Sequence, residues 1–201
     1  MTIIGITGPS GSGKGAVSKI LGEIGIRVID ADAVYHRIIT PPSPCLDELV
    51  LHFGSDILNS DGGLDRGALA KLVFGEENKE RLLLLNQITH KYVVDKIRDT
   101  LAEFSLSGEK VCAIDAPLLV EAGVVDDCDF TVAILAEPKL RAHRISARDR
   151  ISMDAAIARI RSQKPDSFYI ENTDVTLYNN GELSFLSQEV MRVLRERGVV
   201  S

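Results

Sequence analysis

Glycines at positions 8, 11, 13 and 15 punctuate the stretch GPSGSGKG, with Lys14 set among them. Residues without a Cβ let the backbone curl until successive N–H groups converge on one point, and a lysine beside them adds positive charge. That combination suits one chemistry, the grip on phosphate, and residues 8–14 fit the frame G-x-x-x-x-G-K. Apolar Ile3, Ile4 and Ile6 lead into the loop, and Val17, Ile20, Leu21 and Ile24 leave it at the spacing of one helix face. Strand, turn and helix in that order argue against an ordinary glycine-rich turn, because the helix adds its orphan N–H groups and the positive end of its dipole. Lys14 then reaches the terminal phosphates as a point charge. One position departs from the pattern: where serine or threonine normally supplies a hydroxyl to the nucleotide's magnesium, this chain has Gly15, followed by Ala16. Either the metal is held mostly by waters and distant carboxylates, which magnesium tolerates, or the chain is not a working hydrolase or kinase.

Carboxylates and arginines supply the remaining chemistry. A short apolar run at 26–29 ends in Asp30-Ala31-Asp32, and carboxylates at the C-terminal end of a parallel strand lie on the edge where α/β sheets bind ligands. Alternation puts Asp30 and Asp32 on one side if the strand runs through them; if Asp32 instead opens the helix AVYHRII, it is an N-cap. Residues 110–115, KVCAID, have the form of the second phosphate-loop motif, making Asp115 a magnesium ligand directly or through water. Between 141 and 161 the chain carries Arg141, Arg144, Arg148, Arg150, Arg159 and Arg161. Arg141, Arg144 and Arg148 share one helix face at i, i+3 and i+7. Any one of them could pair with Asp149, Asp154 or Glu137 on a solvated face; together they suggest a basic lid over polyphosphate.

The elements that position these residues follow from periodicity. Strands are expected near 3–6, 26–29, 110–115, 130–135 and 173–178, with intervening helices and a closing amphipathic helix at 182–197. The run Thr40-Pro41-Pro42-Ser43-Pro44 interrupts this alternation. After it the pattern is helical: 46–53, a turn at Gly54, a polar loop at 59–63, 66–74, then a long helix at about 76–106, near ~45 Å at helical rise. Its buried stripe is expected at Leu82, Leu85, Ile88, Tyr92 and Val93. The predicted architecture is a three-layer α/β core with a five-stranded parallel sheet, built from 1–39, 108–136 and 166–201. A helical insertion occupies 40–107 and an arginine-rich helical lid 137–165.

The chain of 201 residues, 45% hydrophobic and 26% charged, has an ordinary globular composition, and its net charge of −6 argues against a nonspecific grip on nucleic acid. No apolar run reaches the ~20 residues of a membrane helix, and no basic-then-apolar leader is seen, so no membrane partner and a cytoplasmic location are expected. Cys45, Cys112 and Cys128 are widely spaced and read as unpaired thiols; no zinc site is expected.

Several blocks together are more specific than the loop: GITGPSGSGKG at 5–15, VIDAD at 28–32, HFGSDILNSDGGLDR at 52–66, LVF at 72–74, His90, IDAPLLVE at 114–121, the lid arginines with Gln163, and TDVTLYNNGE at 173–182. With them the chain resembles the dephospho-coenzyme A kinase family, nucleotide-kinase-like phosphate-loop enzymes. The resemblance spans nearly the whole chain. It implies transfer of the ATP γ-phosphate to the ribose 3′-hydroxyl of dephospho-coenzyme A, the last step of coenzyme A synthesis, with magnesium. It implies a phosphate cradle of Ser10, Gly11, Ser12, Gly13, Lys14 and Gly15, and Asp32 as acceptor of the hydroxyl proton. Asp115 would sit in the metal's outer sphere, and Arg141, with Arg144 and Arg148, would cover the transferring group. Arg66 and His90 would face the acceptor in a monomer or small homo-oligomer. Two positions depart from the family pattern: Lys91 follows His90 where proline is usual, and Gly15 replaces serine. On residue type alone His90 reads equally as a hydrogen-bonded packing residue. A kinase of the same scaffold for a nucleoside monophosphate, and a nucleotide-binding regulator without turnover, are the competing readings.

Overall fold

The computed structural model describes residues 1–200, and of Glu76 the backbone alone. Strands β1 (Thr2–Thr7), β2 (Arg27–Asp30), β3 (Val111–Asp115), β4 (Phe130–Leu135) and β5 (Val175–Tyr178) alternate with helices α1 (Lys14–Glu23), α2 (Ala31–Ile38), α3 (Pro44–Phe53), α4 (Arg66–Val73), α5 (Lys79–Leu106), α6 (Pro138–Asp149), α7 (Met153–Arg161), α8 (Asp166–Glu171) and α9 (Leu183–Glu196). The strands form one five-stranded parallel sheet, as the alternation predicts, in the order β2-β3-β1-β4-β5.

Two compact units emerge. The first comprises Met1–Asp30 and the described residues from Phe104 onward. In it Ile4, Ile6, Val132 and Ile134 of the sheet are buried with Val17, Ile20 and Leu21 of α1 and Leu186, Val190, Val193 and Leu194 of α9. On the sheet's other face Ala133 and Leu135 pack with Tyr169 of α8. Helix α8 has no counterpart in the sequence reading; at six residues it is too short for periodicity to show. Asp174 ties the first residues of β4 to β5, accepting from the Thr131 amide (2.7 Å) and hydroxyl (2.8 Å), and these bonds hold its carboxyl below the usual range.

The second unit, Ala31–Glu103, is helical with its own core of Ile39, Cys45, Leu49, Ile57, Leu69, Val73 and Ile88. Leu82, Leu85 and Tyr92 pack against that core. Beyond Tyr92 the buried positions of α5 are Val94, Ile97, Leu101 and Phe104, so Val94 takes the place expected of Val93, which is only half-buried. Those four keep the i, i+3, i+7, i+10 rhythm of one helix face.

Neither reading of Asp32 as a strand residue or a cap holds. Strand β2 stops at Asp30, whose register partner Asp115 is the last residue of β3, so a longer β2 would have no ladder to join. Helix α2 begins at Ala31 and puts Asp32 inside its first turn.

Candidate active site

The loop follows β1 at the carboxyl end of the sheet's central strand. Gly8, Gly11 and Gly13 take positive φ of 139°, 78° and 107°. Their lack of a Cβ matters as much as their angles: a Cβ would lie 2.2 Å from the Ile134 carbonyl oxygen at Gly8, 2.8 Å from that of Arg141 at Gly11, and 2.0 Å from Asn179 Nδ2 at Gly13. Gly15 is different, because a Cβ there meets nothing within 4 Å. Helix α1 begins immediately, with no side-chain cap at Gly13 and no acidic residue in its first turn. Lys14 Nζ donates to the Gly8 carbonyl at 2.9 Å, curling over the loop. The Ser12 hydroxyl is buried without a hydrogen-bond partner. An unsatisfied hydroxyl and a bare helix N-terminus within one turn suit an oxygen-rich anion.

The loop's carbonyls are tied from behind. Arg141, only 3% exposed, donates from Nε to Ser10 O (3.0 Å) and from Nη2 to Gln163 Oε1 (2.6 Å), and its Nη1 lies 3.5 Å from Asp166. Arg144 donates from Nη1 to the carbonyls of Gly11 and Ser12 (3.3 Å each) and from Nη2 to that of Asn179 (3.0 Å). Buried Asn179, just past β5, donates from Nδ2 to Ser12 O at 2.8 Å while its amide bonds Leu135 O. With three consecutive carbonyls held this way, the intervening amides are left to the opposite side, the arrangement an anion nest requires. Burial lowers the pKa of both arginines, opposed at Arg141 by Asp166; both stay cationic. Arg148, exposed, donates to Ser10 Oγ at 3.4 Å and to Asp149.

Asp115 ends β3 beside the loop, in register with Ile6 of β1 on one side and Asp30 of β2 on the other. Its Oδ2 accepts a hydrogen bond of 2.6 Å from Ser18 of α1. The structure therefore brings together Ser10, Gly11, Ser12, Gly13, Lys14, Gly15, Asp115, Arg141, Arg144 and Arg148 within the first unit. Sequence reasoning missed Ser18 and the anchoring role of Asn179, which it named only within the block TDVTLYNNGE.

Asp32, Arg66 and His90 belong to the second unit. Asp32 is exposed on α2. Arg66 is the first residue of α4 because Asp65 Oδ1 caps that helix, accepting from the Ala68 amide at 2.9 Å. Its guanidinium donates to Nδ1 of His36, a histidine to which the sequence reading gave no role. His90 is half-buried on α5, which continues unbroken through Lys91. Lys91, where the resemblance leads one to expect proline, reaches Glu48 (3.4 Å), which also accepts from Tyr92 (2.7 Å).

A glycine loop opening a helix at the carboxyl end of the middle strand, flanked by a strand-terminal aspartate and arginines, defines the phosphate-loop class of nucleotide-binding proteins. Among solved structures the chain is similar to a Thermus thermophilus protein (34% identity, TM-score 0.77, 97% of each chain) and to the dephospho-CoA kinase of Campylobacter jejuni (25%, TM-score 0.69, 96% of each). A dephospho-CoA kinase of Carboxydothermus hydrogenoformans is 38% identical, covering 98% of this chain and 94% of the relative. The family model described as Dephospho-CoA kinase matches residues 2–184. The chain belongs to the dephospho-CoA kinase family.

Proposed function

We propose that this chain transfers the γ-phosphate of ATP to the ribose 3′-hydroxyl of dephospho-coenzyme A, giving coenzyme A and ADP, the last step of coenzyme A biosynthesis in the cytoplasm. The observation that carries the reading is the phosphate loop, whose carbonyls are tied back by Arg141, Arg144 and Asn179, in a chain of this family.

Phosphoryl transfer asks mainly for positioning and charge neutralisation. The amides of residues 10–15 and the Lys14 ammonium hold the β- and γ-phosphates. Arg141 and Arg144 keep the loop in its anion-binding shape and, with Arg148, add positive charge around the transferring group; residues 137–165 act as the lid. Asp32 accepts the proton that the attacking hydroxyl loses. Arg66 and His90 bind the acceptor, Arg66 meeting its anionic groups.

The donor set fits magnesium. Asp115 offers hard carboxylate oxygen beside the loop, and among the described residues no group of three or more histidine, cysteine or acidic side chains forms a dedicated cage. That composition suits an ion held by one carboxylate, phosphates and water. Bound there with Asp115 in its outer sphere, magnesium would neutralise charge developing on the β- and γ-phosphate oxygens.

Incubating the purified protein with ATP, magnesium and dephospho-coenzyme A, and separating products by chromatography, tests this. Coenzyme A and ADP should appear in equal amounts. Turnover only with a nucleoside monophosphate, or ATP binding without turnover on any acceptor, would overturn it.

A further inference from the structure

The missing hydroxyl at position 15 leaves a gap in the loop's chemistry, and the structure offers a residue to fill it. Gly15 and Ser18 lie three apart on α1, on the same helix face. Ser18 Oγ stands 2.6 Å from Asp115 Oδ2 and 3.2 Å from the Lys14 carbonyl. A hydroxyl has one proton to give. The shorter contact lies in the range of charge-assisted O–H···O⁻ bonds, while the longer one is the i−4 contact that many helical serines make. The proton therefore goes to the carboxylate. Nothing crowds position 15, so packing does not forbid a side chain there.

We infer that Ser18 is the positioning residue for Asp115, fixing one carboxylate oxygen so that the group is oriented toward the metal of bound ATP. The hydroxyl that most phosphate loops carry beside the lysine is thus replaced by one a helical turn further on, acting on the metal through Asp115. The inference rests on the reading of Asp115 as the metal's carboxylate. Ser18 differs from an ordinary helix serine in having, besides the contact to its own helix backbone, a shorter bond to a strand residue 97 positions away in sequence.

The test is calorimetry with a non-hydrolysable ATP analogue, once with saturating magnesium and once with chelator, on the wild-type chain and on Ser18→Ala, Ser18→Thr and Ser18→Ala/Gly15→Ser. Disturbing a group in the shell around a metal's direct ligands, where Asp115 is placed, typically costs about 10- to 100-fold in metal affinity. Ser18→Ala should therefore lose about 10-fold or more of the enhancement that magnesium gives, while its metal-free affinity stays within about twofold. Ser18→Thr should keep the enhancement, and Gly15→Ser should restore it in the double variant. Manganese titrations followed by electron paramagnetic resonance should show the same order. An unchanged enhancement in Ser18→Ala would overturn the inference, as would an equal loss with and without metal. Neither readout requires dephospho-coenzyme A. A chain that fails to make coenzyme A but shows this pattern would sink the proposed reaction and leave Ser18's role standing.

Discussion

Glycine is used in two unlike ways inside one loop. At Gly13 both the angle and the space demand it: φ is 107° and a Cβ would meet Asn179 Nδ2 at 2.0 Å. Gly13→Ala should destabilise the fold by about 1–3 kcal/mol, the usual cost of a residue held in a conformation it avoids, and should abolish measurable ATP binding. Gly15 faces open space at the start of α1. Gly15→Ala should leave stability unchanged or raise it by up to about 1 kcal/mol, through lost freedom in the unfolded chain. Urea midpoints of the two variants, side by side, check the contrast. The cysteines are inert at this scale: burial pushes Cys45 and Cys112 up to about 11 and Cys128 to about 12, so few thiolates exist at neutral pH.

Helix α6 carries the loop's rear support. Arg144 alone reaches three backbone carbonyls, two of them in the loop. Hydrogen bonds from charged donors contribute about 1.5–3 kcal/mol, so Arg144→Met should weaken ATP binding by about 10-fold or more and leave the KM for dephospho-coenzyme A unchanged. Calorimetry and steady-state kinetics separate the two; a KM effect on the acceptor alone would contradict the assignment. The end of the same helix carries a pH-dependent tie. Bonds from Arg148 and Arg159 hold the Asp149 carboxyl down at about 2, from an ordinary 3.8, and Arg159 belongs to α7. A lowered folded value means the tie contributes fully above 3.8 and is lost as pH falls through about 2. Amide protection factors in α6 and α7, which divide out the intrinsic pH dependence of exchange, should therefore fall across that interval in the wild-type chain and be insensitive to it in Asp149→Asn. Both arginines are exposed and the pair lies at the surface, so the effect is local rather than a global melt.

Across the whole molecule, the proposal divides labour between the two compact units. Asp32 and Arg66 belong to residues 31–103, whereas the loop, Asp115 and the arginines of α6 belong to the first unit. Asp32→Asn should cut kcat by about 10²–10⁴ with ATP affinity intact, the range for loss of a general base. Arg66→Ala should raise the KM for dephospho-coenzyme A and not that for ATP. Equal loss of ATP affinity and turnover in Asp32→Asn would make that residue structural instead.

Much of this was legible in the chain itself, because the signals are local. Five strands, their order along the chain and the helices between them, the six-residue α8 apart, follow from the period of apolar residues; the loop follows from glycines that adopt positive φ without strain. The caps at Asp65 and Ser43 each bond only three residues on, a distance sequence can display, yet they emerged only with the structure. Tertiary structure alone decided what fills the space around these elements. Asn179 reaches the loop from 167 residues away, Arg141 from 131 and Ser18 reaches Asp115 across 97, and no periodicity encodes a partner at such separations. The stop of β2 at Asp30 was equally hidden, since it depends on where its neighbour β3 ends. Amino-acid order determined where the glycine loop at residues 8–15 falls between a strand and a helix; the parallel pairing of strands determined which side chains hold that loop in shape, because only folding brings those carbonyls and donors within hydrogen-bond reach.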